Sequence, residues 1–531
     1  MTRLHNPVIR GFAPDPSLVR VGDWYYAATS SFEWFPTIPV HRSRDLAHWE
    51  YAGHVRGAVP GDSLAGVPDS GGIWAPSLSW DGERFWVVYS VVRSVGTPYF
   101  DADTYVCTSP EIGGKWTEPR RLASHGFDPA LFHDEGRLWL LNLQNDHRPG
   151  GRRFAGIVLT ELDRQTLAPV GDTRLLLQHE RLVEGPKLVR RDGWYHLVLA
   201  ERGTGFEHGV RMARSRAVTG PYELDDRPLL TSRDDPSLPL QKAGHGELVQ
   251  TPDGDWVLSH LTARPLHTPD GPRCTLGRET AIQAVTWDAQ GWPRMRHGGS
   301  HPEVEVEVEV PTRPAEPERR AAAPDEPLGW PWSTPRGYAD PAWADTTTRP
   351  GWIRLTGRHG PESRWAHSLL AQRITEHRAE AEVTVEARPR TFTQAAGLVL
   401  WYGAEAYLSL DLTWAEPEGE AQSGQQWRGE GRTVLSLVER EEFASRQAAV
   451  VEVDASGPLT LGVLVEDGRA RFWYVHEGVR TPVGPALDFT KLSDDYGSKL
   501  RFTGAMAGVH AVDLVDSAFT ADFTGFRLTC W

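Results

Sequence analysis

The chain has 531 residues, of which 22 are Trp and 40% are apolar, and 56 basic against 71 acidic side chains leave a formal net charge of −15. This is more than one domain's worth of chain, with enough apolar residues for sizeable cores. The acidic balance argues against a nucleic-acid partner, which needs a basic face. Cys107, Cys274 and Cys530 lie far apart without metal-ligand spacing, so a disulfide framework is not expected. The opening MTRLHNPVIRG has no apolar core, and no run of about 18 apolar residues occurs anywhere. No membrane contact and a cytoplasmic location are the expectations.

Through the first 300 residues a turn recurs at Gly22, Gly82, Gly136, Gly193 and Gly254, 54 to 61 residues apart, in the range of a propeller-blade period. A short apolar run precedes each turn and an aromatic, β-branched run follows it, the signature of a hairpin. Second hairpins are marked by HRSRDLAHW (41–49), CTSPEIGGKW (107–116) and ARSRAVTGPY (213–222). Four short strands in each of five units describe a five-bladed β-propeller.

The first strand of each blade lines the central channel of a propeller, so equivalent positions converge. Those positions read as Asp15 (Pro14-Asp15-Pro16-Ser17), Trp74 (GIWAPS), Asp128 (Phe127-Asp128-Pro129-Ala130), Glu184 (Glu184-Gly185-Pro186-Lys187) and His245 (GHGELV). A single Asp-Pro is an ordinary turn former. Three acids in register beside Trp and His are another matter, because clustering them costs desolvation and repulsion that structure alone does not require. Two carboxylates flanking a sugar, with a third beside them, suit glycoside hydrolysis: one acid protonates the leaving oxygen and one base activates water.

The composition shifts near residue 300. Residues 301–328 begin with alternating Glu and Val, read as a solvated edge strand, and turn rich in Pro, Ala and charge, read as a linker. From 329 to 531 short alternating segments such as WIRLTG, AEAEVTVEA, AAGLVLWYG, AYLSLDLTW, LTLGVLVED, ARFWYVHEG and VHAVDLVD predict a β-sandwich. The expected fold is thus all-β: a five-bladed β-propeller catalytic domain over 1–300, an edge strand and linker, and a β-sandwich domain.

The opening NPVIRGFAPDPSLVRVGDWYYAATSSFEWFPTIPVHRSRDLAHW resembles that of the two-domain β-xylosidases of glycoside hydrolase family 43. The likeness continues through SGGIWAPSLSW, GFDPALFHDEGR, VEGPKLV, PLQKAGHGELVQT, HLTARPL and CTLGRETAIQ, and into the second domain through SLLAQRI, TFTQAAGLVLWY and FTGAMAGVHAVDL. The resemblance implies an inverting exo-glycosidase that releases xylose from the non-reducing ends of xylo-oligosaccharides, with Asp15 as general base, Glu184 as general acid and Asp128 as the carboxylate that raises and orients the acid. Inversion leaves room for a water, which sets a carboxyl separation of roughly 6.5–9.5 Å. The resemblance also implies that Arg278 binds sugar hydroxyls, that Phe32, Trp74 and Phe127 form apolar walls, and that the protein is a homo-oligomer. No cofactor is required by the chemistry. In some family members the histidine matching His245 helps hold calcium, mostly through waters; a buried core histidine is the competing reading, since calcium prefers oxygen.

Several positions depart from the family pattern: Asn145 stands where a Trp is usual, Lys187 replaces a His, Arg202 replaces a Gly, and Met506 replaces a Phe that closes the pocket. They put leaving-group recognition in question more than catalysis. Alternative readings are an α-L-arabinofuranosidase or bifunctional enzyme, a retaining fructan-type hydrolase, whose Asn-Asp-Pro-Asn-Gly and Glu-Cys signatures are missing, and a non-catalytic carbohydrate-binding propeller.

Overall fold

The computed structural model describes residues 1–313, 328–416, 431–499 and 501–531. They form two compact units, Met1–Pro265 with Arg278–Arg319 and Leu266–Gly277 with Arg320–Trp531. Among the described residues the regular structure is β, with only single 3-10 turns beside it.

The first unit contains five antiparallel sheets, each built on four consecutive main strands. Their first strands are Ser17–Val21, Gly72–Trp80, Ala130–Asp134, Val183–Arg191 and Gln241–Gln250. Each pairs with the strand that follows the expected turn, and Gly22, Gly82, Gly136, Gly193 and Gly254 all have φ between 61° and 104°, where a side chain would be strained. The first strands pack against one another in cyclic order, the fifth returning to the first. This closure brings residues from remote parts of the chain to one axis.

Residues 301–313 do more than form a solvated edge. Glu305–Val308 pairs antiparallel with Thr2–His5, and Val306, Val308 and Val310 are buried with Leu4, Leu18 and Ile282 while the Glu residues face out. The alternation places one face in a core, and the pairing ties the two ends of the unit together. Most of the expected linker, residues 314–327, lies outside the described residues.

A hairpin of Leu266–Thr268 and Gly271–Arg273 leaves the fifth sheet between Trp256–Ala263 and Glu279–Trp287 and groups with the second unit. That unit consists of a six-stranded and an eight-stranded antiparallel sheet. Val383, Val385, Leu461 and Val463 of one sheet share a core with Leu370, Leu398, Leu410, Leu437 and Val509 of the other. The strand Ala379–Ala387 alternates buried and half-buried along its length, as its sequence period of two demands.

Candidate active site

A single backbone device builds the axis. At the inner end of each first strand one residue adopts a left-handed conformation: Asp15 (φ 54°), Ala75 (32°), Asp128 (52°), Gly185 (56°) and His245 (49°). Regular pairing resumes two residues later in every case, at Ser17, Ser77, Ala130, Lys187 and Glu247. Non-glycine residues carry strain of order 1–3 kcal/mol in such a conformation, and four of these five are not glycine, which points to a functional arrangement.

This register corrects the sequence alignment at two places. The equivalents of Asp15 and Asp128 are Ala75 and Gly185, so Trp74 and Glu184 stand one residue earlier than expected. The Pro that follows four of the five left-handed residues (Pro16, Pro76, Pro129, Pro186) carries this register in the sequence. The displacement leaves Glu184 half-buried, whereas Asp15 and Asp128 are each 6% exposed.

The acids are held in different states. Asp15 accepts hydrogen bonds from Arg278 Nη1 at 3.0 Å and from Ser30 Oγ at 2.6 Å, and His245 Nδ1 lies 3.6 Å from its Oδ1. Burial alone would raise its pKa, but the Arg278 charge, with the Ser30 hydroxyl, outweighs burial and holds it below the ordinary carboxylate value. Asp128 accepts the Gly185 amide at 3.0 Å. Burial, then the charge of Asp15, pushes it up to about 7, against the pull of that amide, Lys187 and Arg278. Glu184 is raised well above its ordinary range by burial and by the charges of Asp128 and Asp15. One ionised and one protonated carboxyl in the same cluster is the division of labour that acid–base chemistry uses.

Around the acids the aromatic residues form a connected wall. Phe32 lies 6.1 Å from Trp74, which lies 5.6 Å from Phe127 between ring centroids. Phe12 and Phe100 extend the wall at 6.0 and 5.5 Å. Trp74 is fixed by its indole N–H donating to the Ser70 carbonyl at 2.9 Å. Phe32 and Phe127 are 2% and 5% exposed, so Trp74, half-buried, offers the most open face of the three.

Arg278 is 2% exposed, and its neighbour Glu279 is held by Arg264 at 2.8 Å. Its Nη1 bridges Asp15 and Thr204 Oγ1, the latter at 2.9 Å, and its guanidinium lies 5.6 Å from the Phe32 ring centre. Ser30 and Thr204 are thus site residues that the motif reading passed over, because a hydroxyl in a loop carries no distinctive pattern.

His245 is 7% exposed, and burial lowers its pKa to about 4, leaving a neutral ring against Asp15. A Cβ on Gly185 would come within 2.8 Å of its Nε2, which shows how closely the ring fits. The donor set does not suit calcium held directly, which takes roughly six to eight oxygens. Asp15 is already engaged by Arg278 and Ser30, and among the described residues no group of three acidic, imidazole or thiol donors gathers here.

The departures from the family pattern fall in three settings. Asn145 ends the strand Arg137–Asn145 and lines a cavity of about 640 Å³ with Tyr99, Phe100, His125 and His147. Lys187 is buried in the first unit and Arg202 pairs with Glu207, while Met506, fully buried, opens the strand Met506–Asp513 in the second unit.

Comparison with known proteins accounts for the whole chain. Residues 4–293 match the model of glycosyl hydrolases family 43, and residues 324–529 that of the beta xylosidase C-terminal concanavalin A-like domain. Xylosidase/arabinosidase 43B of Humicola insolens is 38% identical over 99% of this chain and 97% of its own length. A beta-xylosidase of Bacillus subtilis is 36% identical over 99% of both. The solved structure of xylan beta-1,4-xylosidase from Bacillus halodurans superimposes with a TM-score of 0.92 at 39% identity, covering 99% of this chain and 100% of that one. The propeller-type first unit, the sandwich and the axial acids all agree with one conclusion: the chain is a glycoside hydrolase and belongs to glycosyl hydrolases family 43.

Proposed function

We propose that the protein is an inverting exo-acting β-D-xylosidase that removes xylose from the non-reducing ends of xylo-oligosaccharides. Its five sheets are read as five blades of a catalytic propeller over residues 1–300, followed by the sandwich of 329–531. The carrying observation is the opposed state of Asp15 and Glu184 within one cluster at the axis. Asp15, kept ionised by Arg278 and Ser30, takes a proton from water as that water attacks the anomeric carbon. Glu184, kept protonated by burial and by the charge of Asp128, gives its proton to the departing glycosidic oxygen, and configuration inverts. Asp128 tunes and orients the acid. Arg278 spans Asp15 and Thr204 and sets its guanidinium beside the place of the sugar hydroxyls, while Trp74, with Phe32 and Phe127 behind it, forms the apolar wall for a pyranose face. No step is routed through a metal.

Arabinofuranoside cleavage is the second reading, favoured by the relatives named xylosidase/arabinosidase. A panel of 4-nitrophenyl β-xyloside and α-arabinofuranoside, run with and without chelator, decides between them. Faster turnover of the xyloside, unaffected by chelator, is expected; strong preference for the arabinofuranoside would replace the primary reading.

A further inference from the structure

Two residues past each left-handed residue, where pairing resumes, stand Ser17, Ser77, Ala130, Lys187 and Glu247, and Ser17, Lys187 and Glu247 meet. Lys187 is 6% exposed, and a fully buried lysine is rare unless it is paired. Its Nζ lies 3.7 Å from Glu247 Oε2 and 3.4 Å from Ser17 Oγ. Glu247 in turn accepts the Ser17 hydroxyl at 2.7 Å and the Leu18 amide at 3.0 Å, which fixes the carboxylate from the neighbouring sheet. The ammonium is therefore pinned, and the groups facing it are Glu247, Asp128, Asp15 and His245.

Charge balance in this cluster is tight. Four acids (Asp15, Asp128, Glu184 and Glu247) share two cations, Arg278 and Lys187, because His245 and His208 are both buried and neutral. Arg278 offsets Asp15, and Lys187 lies against Glu247. Asp128 and Glu184 remain, with too little positive charge for both to ionise. The charge of Lys187, which acts on Asp128, biases which of the two keeps the proton.

One short segment supplies every part of that bias. Glu184 brings the carboxyl, the Gly185 amide donates to Asp128, Pro186 adds no donor, and Lys187 brings the charge. We infer that Lys187, held by Glu247 and Ser17, is a positioning residue for catalysis: it draws Asp128 towards ionisation, so that the working proton stays on Glu184 rather than on Asp128. This rests on the reading of these acids as catalytic.

The inference is tested by the pH dependence of kcat/KM for Lys187→Met, Lys187→Arg, Glu247→Gln and the double variant Lys187→Met/Glu247→Gln. Losing the ammonium removes a force that lowers the pKa of Asp128 and Asp15. The acid limb should move up by about half to one pH unit in Lys187→Met, with KM little changed. Lys187→Arg should keep the wild-type profile. Glu247→Gln leaves the ammonium unopposed, so its acid limb should move the other way, and the double variant should return towards wild type. A purely structural Lys187 would lower activity at every pH alike, and would not give opposite shifts. An unmoved limb in a folded Lys187→Met protein, or shifts of the same sign in both single variants, overturns the inference. If Lys187→Met does not fold, Glu247→Gln decides: an unmoved acid limb there overturns it equally. Wild-type protein that cleaves no pentoside would overturn the catalytic reading itself and this inference with it.

Discussion

Along the axis of the first unit the buried side chains are charged and outnumber their counter-ions, whereas the two sheets of the second unit close on Leu, Val and Phe. The sandwich also buries ionisable groups, but pairs them locally: Asp411 with His510 at 2.6 Å, and Asp522 with Arg354 at 2.7 Å and Arg349 at 3.0 Å. Buried pairs of that kind are structural and stand or fall with the fold. At the axis three acids feel one another and two of them are driven up in pKa, an arrangement that opposes folding and is kept for what it can do. Two all-β units thus spend their interiors differently, and substitutions should separate them.

The largest effect is expected at the acids. Asp15→Asn and Glu184→Gln should each lower turnover of xylobiose roughly a hundred- to ten-thousandfold. They should differ on 4-nitrophenyl xyloside: its phenolate departs with little help from an acid, so Glu184→Gln should recover much of its rate there while Asp15→Asn, lacking the base, should not. Equal losses on both substrates in Glu184→Gln would remove the acid role.

A smaller contrast comes from packing. In the sandwich Leu398 is fully buried, and Leu398→Ala should cost about 2–5 kcal/mol of stability while leaving the pH dependence of kcat/KM as it is in the folded protein. At the axis Gly185→Ala sets a methyl within 2.8 Å of His245 Nε2 and demands a left-handed alanine. It should cost a comparable amount of stability, about 2–5 kcal/mol from strain and overpacking together, yet also lower kcat roughly a hundredfold, because the same backbone unit positions Glu184 and donates to Asp128. Thermal melts beside kinetics on the two variants check the contrast; matching ratios of lost stability to lost rate would erase it.

Much of this was legible in the sequence because it is periodic. The five turn glycines and the apolar runs beside them mark the hairpins, and Pro16, Pro76, Pro129 and Pro186 fix the register of the inner strands. Glu184 and Trp74 stand one residue before the positions that Pro76 and Pro186 mark, because the left-handed residues there are Gly185 and Ala75, which carry no chemistry to single them out. In the sandwich the strands Arg432–Glu441 and Ala444–Glu452 passed unnoticed: the second is an edge strand, largely exposed, so no buried face imposes an alternation on it. Ser30, Thr204 and the cluster of Ser17, Lys187 and Glu247 were out of reach for a different reason. Their partners come from other sheets, and only closure of the ring brings them together.

The smallest effect concerns stability rather than rate. Asp128 titrates near 7 in the fold, raised from 3.8, so folding favours its protonated form. The stability this confers is complete below the ordinary carboxylate range and disappears as pH rises through the raised value. Asp128→Asn cannot ionise, so it escapes that loss while its side-chain oxygen still accepts the Gly185 amide. The variant should melt at about the wild-type temperature near pH 4 and about 2 °C or more above it near pH 8. Calorimetric scans at the two pH values measure the difference directly. An Asp128→Asn protein less stable than wild type at pH 8 would mean that the carboxylate is held by its donors more firmly than its neighbours repel it, and the axis would then resemble the satisfied ion pairs of the sandwich.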